Sequence, residues 1–214
     1  MTVSAVKFPC RDIVLEGIWH LPDGEGGFPV VIVCHPHPLY GGDMYHPIVV
    51  GICNELVRRN IAALRFNFRG VGKSGGAYAE GIGEREDVKA AIEFGLSNKK
   101  TDAKKVGLAG YSFGASVITP VAAGDGRVGG MALISPVFEA AEWDPLYKFT
   151  RHKFLIAGER DAYISRRLFE RMAKSLPQPA QYYIIKDADH FWDGYEAEVA
   201  GKVSKFFAEG FKLP

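Results

Sequence analysis

The sequence has few cysteines and no surplus of charge of either sign. Its 214 residues contain three cysteines, Cys10, Cys34 and Cys53, which cannot all pair and whose spacing matches no zinc site. We therefore expect reduced thiols, a cytoplasmic location and no bound metal. The 26 Lys and Arg residues against 25 Asp and Glu leave a net charge of +1. This balance removes the main electrostatic reason to expect nucleic acid or an anionic membrane as a partner.

Long apolar runs of the kind found in signal peptides and membrane spans are also missing. The first 14 residues carry charges at Lys7, Arg11 and Asp12 and contain no long apolar core. Residues 106–124 form a stretch of 19 without a charge, but it contains four glycines and Pro120. Because it divides into a strand-like and a helix-like half, we interpret it as buried core and expect no membrane insertion.

The composition is that of an ordinary globular chain. Apolar residues make up 47% and charged residues 24%, and there is no internal repeat, low-complexity run or interdomain linker. A chain of this length can bury a core without disulfides or metals. We predict a single domain over residues 1–214.

Strand-like and helix-like segments alternate along most of the chain. This alternation predicts a largely parallel sheet with helices on both faces. An antiparallel edge pair is predicted at 3–8 and 12–21. Further strands are predicted at 28–35, 61–68, 104–112, 128–135, 152–158 and 180–186. Helices are predicted at 84–96 and 113–124, and near 47–60, 163–176 and 194–209.

The sharpest local feature is a glycine-flanked serine between a predicted strand and a predicted helix. It reads Gly110-Tyr111-Ser112-Phe113-Gly114. The two glycines allow a tight turn that exposes the serine hydroxyl, and the following helix directs its first N–H groups at the site. This pattern indicates a nucleophile at Ser112, since a plain glycine-rich turn does not require this strand-to-helix context.

A serine nucleophile needs a base, and the base needs an orienting acid. Of the six histidines, His190 fits best because it follows the last predicted strand, whereas His20 and His152 are poorly placed. Asp161 follows the strand 152–158 at the edge where sites form in α/β sheets. Glu159 is the alternative acid. The chain order serine, acid, histidine is the one expected for this arrangement.

Two backbone N–H groups must converge to stabilise an oxyanion. Phe113 should supply the first, because it follows the nucleophile. The second should come from the loop after the strand 28–35, where Pro36 and Pro38 have no N–H. That leaves His37 as the first candidate and Leu39 as the second.

Three blocks of sequence carry a resemblance to a known family: CHPHPLYGG (34–42), FNFRGVGKSGG (66–76) and LAGYSFGAS (108–116). With them the chain resembles the α/β-hydrolases over nearly its whole length. It looks most like small members without a cap domain, related to dienelactone hydrolases. The resemblance implies an eight-stranded α/β sheet, acyl-transfer chemistry and a triad of Ser112, Asp161 and His190. Dienelactone hydrolases use a cysteine nucleophile, and many esterases of the superfamily have His-Gly where this chain has His35-Pro36.

The segment Gly70-Val71-Gly72-Lys73-Ser74 imitates the end of a phosphate-binding P-loop. The full motif needs glycine where this chain has Asn67, and Gly75 and Gly76 disfavour a helix at that point. The resemblance instead implies a glycine loop in which Arg69 holds neighbouring loops.

A second set of residues, the aromatics of the predicted loops, can either line an apolar pocket or cover the core. They are Tyr40, Phe138, Trp143, Tyr163, Phe191 and Trp192.

Taken together, these patterns predict a serine hydrolase that cleaves small carboxylic esters through an acyl-enzyme, without cofactor. Thioesters, lactones and peptides remain open as substrates, and so does a binding or scaffold protein on the same fold. The connection from Pro136 to Arg151 has only 16 residues, too few for a multi-helix lid, although Trp143, Tyr147 or Phe149 could form a small flap. We therefore expect an open site and short acyl groups.

Overall fold

The computed structural model describes residues 1–138 and 143–213. Eight strands form one sheet: β1 (Thr2–Cys10), β2 (Ile13–Leu21), β3 (Phe28–Cys34), β4 (Ala62–Phe66), β5 (Thr101–Tyr111), β6 (Val128–Ile134), β7 (His152–Gly158) and β8 (Ala180–Ile185). Their order is β1-β2-β4-β3-β5-β6-β7-β8. β2 runs antiparallel to β1 and β4, and all pairs from β4 to β8 are parallel. The predicted sheet and its antiparallel edge pair are confirmed.

Helices cover both faces of the sheet. They are α1 (Pro47–Arg58), α2 (Gly83–Ser97), α3 (Phe113–Gly124), α4 (Trp143–Lys148), α5 (Arg166–Ser175) and α6 (Glu196–Gly210), with a 3₁₀ turn at Pro38–Tyr40. Core residues of α1 and α6 pack with one face, and those of α2, α3 and α5 pack with the other. Every residue of β3 is buried, which explains its unbroken apolar sequence.

Two helices begin later than the periodicity predicts, and each start has a local cause. α5 begins at Arg166 because the Ser165 hydroxyl accepts the Leu168 N–H and caps the helix. α6 begins at Glu196 because Gly194 adopts φ +82°, a left-handed conformation that a helix cannot contain. The predicted starts at 163 and 194 were therefore too early.

The connection between β6 and β7 contains one short helix, α4, and no cap domain within its described residues. Phe149 is 1% exposed, so it belongs to the core. The Tyr147 hydroxyl shares a 2.6 Å hydrogen bond with Ser175. Ser175 is the last residue of α5, near the start of β8, so this contact lies away from the carboxyl ends of the strands. Neither residue forms the small flap considered above, and the Trp143 side chain lies outside the described residues. No described helix is long and apolar enough to span a membrane.

Candidate active site

Ser112 occupies a sharp turn between β5 and α3. Its φ of 52° and ψ of −114° are strained for a residue with a side chain, and its N–H donates to Ile134 O at 2.8 Å. A Cβ on Gly110 would lie 2.4 Å from Gly114 O, and a Cβ on Gly114 would lie 2.6 Å from Cys34 O. Only glycine fits at these two positions, so the turn depends on both flanking glycines.

The structure brings Ser112, His190 and Asp161 together from three separate loops. His190 Nδ1–H donates to Asp161 Oδ2 at 2.9 Å, and the Ser112 hydroxyl lies 3.0 Å from His190 Nε2. Ser112 is half-buried, whereas the side chains of His190 and Asp161 are 8% and 0% exposed. Because a carboxylate only accepts, Asp161 holds the proton on Nδ1 and leaves Nε2 free to accept from Ser112.

Asp161 is held as an anion by its neighbours. Oδ1 accepts the N–H groups of Tyr163 and Ile164 at 2.9 and 3.3 Å. Burial alone raises the pKa of Asp161, but the hydrogen bond and charge of His190, with the Tyr163 N–H and the Ser135 hydroxyl, outweigh it and lower that pKa. The alternative acid, Glu159, instead pairs with Arg166 and accepts the Asp187 N–H. Its carboxylate makes no contact with His190.

The loop that carries His190 is anchored around the histidine. Asp189 Oδ1 accepts the N–H groups of Phe191 and Trp192 at 2.8 and 3.2 Å. The fully buried Trp192 donates its indole N–H to Ser135 Oγ at 3.1 Å. Sequence reasoning missed Ser135, because nothing local marks it as a partner of residue 192. The Asp189 carboxylate caps this turn.

The two predicted oxyanion donors have no hydrogen-bond partner among the described residues. Within the described ranges, neither the His37 N–H nor the Phe113 N–H makes a hydrogen bond. Their rings are 4.8 Å apart between centroids, so the two residues are neighbours. The Leu39 N–H, in contrast, donates to His37 Nδ1 at 3.2 Å and is therefore occupied. Of the two candidate donors in this loop, His37 is the one left available.

His35 serves the structure of the loop beside the site. It is fully buried, with Nδ1–H donating to Pro36 O at 2.7 Å and Nε2 accepting the Phe68 N–H at 3.1 Å. Burial lowers the pKa of His35 to about 4, so the ring stays neutral. It joins the loops after β3 and β4.

The glycine loop that imitates a phosphate-binding motif is held to α2. Arg69 forms an ion pair with the fully buried Asp87 at 2.7 Å, and its N–H also donates to that carboxylate at 2.9 Å. Gly70 and Gly72 have φ values of +75° and +56°, so the segment forms turns and no helix begins at Lys73. Arg69 thus ties its own loop to α2, whereas the resemblance implied a tie between neighbouring loops.

The loop aromatics divide between the rim of the site and the core. Tyr40, Tyr163 and Phe191 are 87%, 60% and 54% exposed, and the Tyr163 ring lies 4.5 Å from the His190 ring. Trp192 is buried, and Phe138 is half-buried. Tyr163 and Phe191 lie beside His190 and Tyr40 lies beside His37, whereas Trp192 covers the core. The described residues contain no cluster of metal-binding side chains.

Comparison with known proteins identifies the family of this fold. A family model described as an alpha/beta hydrolase domain matches residues 30–201. An uncharacterized protein of Rickettsia prowazekii is 31% identical over 172 residues, which cover 77% of this chain and 72% of that protein. An alpha-beta serine hydrolase homologue from Coxiella burnetii is 28% identical with a TM-score of 0.85, covering 96% of this chain and 97% of its own. A serine hydrolase without a lid from Xanthomonas campestris is 25% identical with a TM-score of 0.86, covering 100% of this chain and 96% of its own. The chain therefore belongs to the alpha/beta hydrolase domain family.

Proposed function

We propose that the protein is a serine hydrolase that cleaves small carboxylic esters through an acyl-enzyme. The observation that carries this proposal is the pair of hydrogen bonds that connects Ser112 Oγ to His190 Nε2 at 3.0 Å and His190 Nδ1 to Asp161 at 2.9 Å. In this arrangement the imidazole can take the proton of the hydroxyl, and the carboxylate orients the imidazole, so the hydroxyl is activated as a nucleophile.

In the proposed acylation step, Ser112 Oγ attacks the ester carbonyl and His190 Nε2 takes the hydroxyl proton. Asp161 stabilises the imidazolium through Nδ1–H. The N–H groups of Phe113 and His37 donate to the oxyanion, aided by the positive N-terminal end of α3. When the intermediate collapses, the bond to the leaving oxygen breaks and His190 returns its proton to the departing alcohol.

Deacylation repeats these steps with water as the nucleophile. His190 Nε2 accepts a proton from the attacking water, and the second intermediate releases the carboxylic acid while the proton returns to Ser112. The chemistry needs only groups that this chain supplies.

The absence of a cap domain in the described part of the chain supports small, freely diffusing esters as substrates. The buried free thiols of Cys10, Cys34 and Cys53 support a reducing, cytoplasmic location.

The deciding experiment assays p-nitrophenyl esters, thioesters and lactones with the wild type beside Ser112→Ala. A fluorophosphonate probe should label the wild type covalently and leave Ser112→Ala unlabelled. Ester turnover that requires Ser112 would support the proposal. Faster turnover of thioesters or lactones would change the substrate class, whereas a folded wild type that neither reacts with the probe nor turns over any substrate would indicate a binding protein.

A further inference from the structure

Tyr111 joins the strand of the nucleophile to the loop of the histidine. It is the last residue of β5, directly before Ser112, and it is 2% exposed. Its hydroxyl donates to the backbone carbonyl of His190 at 2.8 Å, a buried contact between residues 79 positions apart. One side chain therefore connects the two residues whose separation matters most for proton transfer.

The other anchors of this loop hold different residues. Ala188 O accepts the Arg160 N–H at 2.8 Å, which ties the loop to the end of β7. Trp192 is tied to Ser135 after β6. Within residues 1–138 and 143–213, Tyr111 makes the only hydrogen bond to the His190 backbone. The anchors at 188 and 192 lie on either side of His190 in the sequence. Tyr111 holds the His190 backbone itself to the end of β5.

The chemistry of Tyr111 suits a permanent donor. Burial raises the pKa of its hydroxyl, and the nearby carboxylates of Asp161, Asp189 and Asp193 raise it further, so the group keeps its proton. The ring contacts the rings of His46 and His190, at centroid distances of 5.0 and 5.8 Å. Because the side chain is 2% exposed, its packing restricts the direction in which the hydroxyl points.

We propose that Tyr111 is a positioning residue that sets the distance from His190 Nε2 to Ser112 Oγ through its hydrogen bond to the His190 carbonyl. This inference rests on the proposed serine hydrolase function. The peptide bond between Tyr111 and Ser112 fixes one end of the connection, and the hydroxyl fixes the other. A histidine that is free to move even by 1 Å loses alignment with its nucleophile, which costs on the order of 100-fold in rate.

Tyr111→Phe tests the proposal because it keeps the ring and removes only the donor. We expect kcat to fall about 10- to 100-fold, with the rate of fluorophosphonate labelling falling in parallel. KM should stay unchanged, since Tyr111 lies beneath the site and does not reach substrate. The matched control is Ser204→Ala on α6, which removes a buried hydroxyl bonded to Arg59 Nε at 3.0 Å. The two variants should lose similar thermal stability, but Ser204→Ala should keep the wild-type kcat.

A second measurement separates positioning from general loosening of the fold. If Tyr111 acts through His190, then adding Tyr111→Phe to His190→Ala should not lower the residual rate further. An equal fold-loss in both backgrounds would overturn the proposal, as would a Tyr111→Phe enzyme with wild-type kcat. If the wild type shows no Ser112-dependent turnover at all, the proposed function fails, and the role of Tyr111 fails with it.

Discussion

At the scale of single residues, the contacts favour Asp161 over Glu159 as the proposed acid. Asp161 and Glu159 are two positions apart in one loop, and chain order alone does not separate them. In the structure, Asp161 bonds His190, whereas Glu159 is occupied by Arg166 and the Asp187 N–H. Glu159 therefore serves contacts with α5 and with the loop after β8, and Asp161 is the carboxylate that reaches the histidine.

This difference predicts opposite outcomes for two conservative variants. Asp161→Asn should lower kcat on the order of 10⁴-fold, because the amide can donate to Nδ1 and favour the wrong tautomer. Glu159→Gln should cost far less, since it changes only a loop contact. Steady-state kinetics on a short p-nitrophenyl ester would measure both, and the reverse ranking would move the acid to Glu159.

The nucleophile and base should also behave as one unit. We expect Ser112→Ala, His190→Ala and the double variant to lose activity to a similar extent, on the order of 10⁴-fold or more in kcat. Neither side chain makes a large contribution to the core, so folding should remain intact. Circular dichroism would check the fold, and an additive loss in the double variant would contradict a shared mechanism.

At the scale of elements, the turn between β5 and α3 depends on close contact between backbone segments. The strained backbone of Ser112 is held by close approach of the helix start to β5 and to the end of β3. Because Gly110 meets backbone atoms, which cannot rotate away, this approach fails when a side chain is added.

Gly110→Ala should therefore destabilise the protein by about 3 kcal/mol or more and abolish probe labelling, since the new Cβ would overlap Gly114 O. Gly124→Ala, at the other end of α3, is the matched control. A Cβ there meets nothing within 4 Å, so the change should be neutral or stabilising by about 0.5 to 1 kcal/mol. Urea unfolding compares the two, and equal stability of both variants would refute the steric argument.

The connection between β6 and β7 sets the acyl preference that we expect of the proposed esterase. Its one described helix, α4, has 6 residues and builds no lid. An open site buries little of a long acyl chain, and each CH₂ left in water forgoes ~0.8 kcal/mol. We expect kcat/KM to be highest for acyl chains of about C2 to C6, with no activation at lipid droplets. A series of p-nitrophenyl esters measures this, and kcat/KM that rises steadily to long chains would show that the acyl group is covered.

At the scale of the whole molecule, two buried histidines link stability to pH. His35 Nε2 accepts the Phe68 N–H, and His20 Nε2 accepts the Arg65 Nε–H at 3.0 Å. A proton on either nitrogen would break its bond, so the fold requires both rings to be neutral. Burial, with the Arg65 charge beside His20, lowers the pKa of each histidine from 6.5 to about 4.

Stability should therefore be lost on the acid side of neutrality. Between pH 6.5 and 4 these two histidines are protonated in the unfolded chain but stay neutral in the folded chain. As the pH falls through this range, the free energy of unfolding should therefore fall by about 3 kcal/mol for each histidine. Urea unfolding across this range would measure the slope. His35→Asn should reduce the slope, whereas His152→Gln, which replaces an exposed histidine, should leave it unchanged. A wild-type unfolding free energy that does not vary in this window would disprove the link.

Much of the fold could be predicted because its signals are local. The unbroken apolar run of β3 and the alternation of strands and helices follow from which side chains must be buried. The turn at Ser112 could be predicted because glycine is the only residue that permits such close backbone approach. The late starts of α5 and α6 were missed because one hydrogen bond and one left-handed glycine set them, and neither changes the apolar periodicity.

The sequence by itself determined the sheet and the candidates for nucleophile, base and acid, because sterics and hydrophobic burial act within a few residues of each position. The family followed from the resemblance of three blocks of sequence. Tertiary structure alone decided which candidates meet. It paired Glu159 with Arg166 and with the Asp187 N–H, brought Asp161 to His190, and placed the Tyr111 hydroxyl on the His190 carbonyl. Such hydrogen bonds act over about 3 Å between atoms that can be dozens of residues apart. They exist only once the strands are in register, so no local pattern in the sequence can contain them.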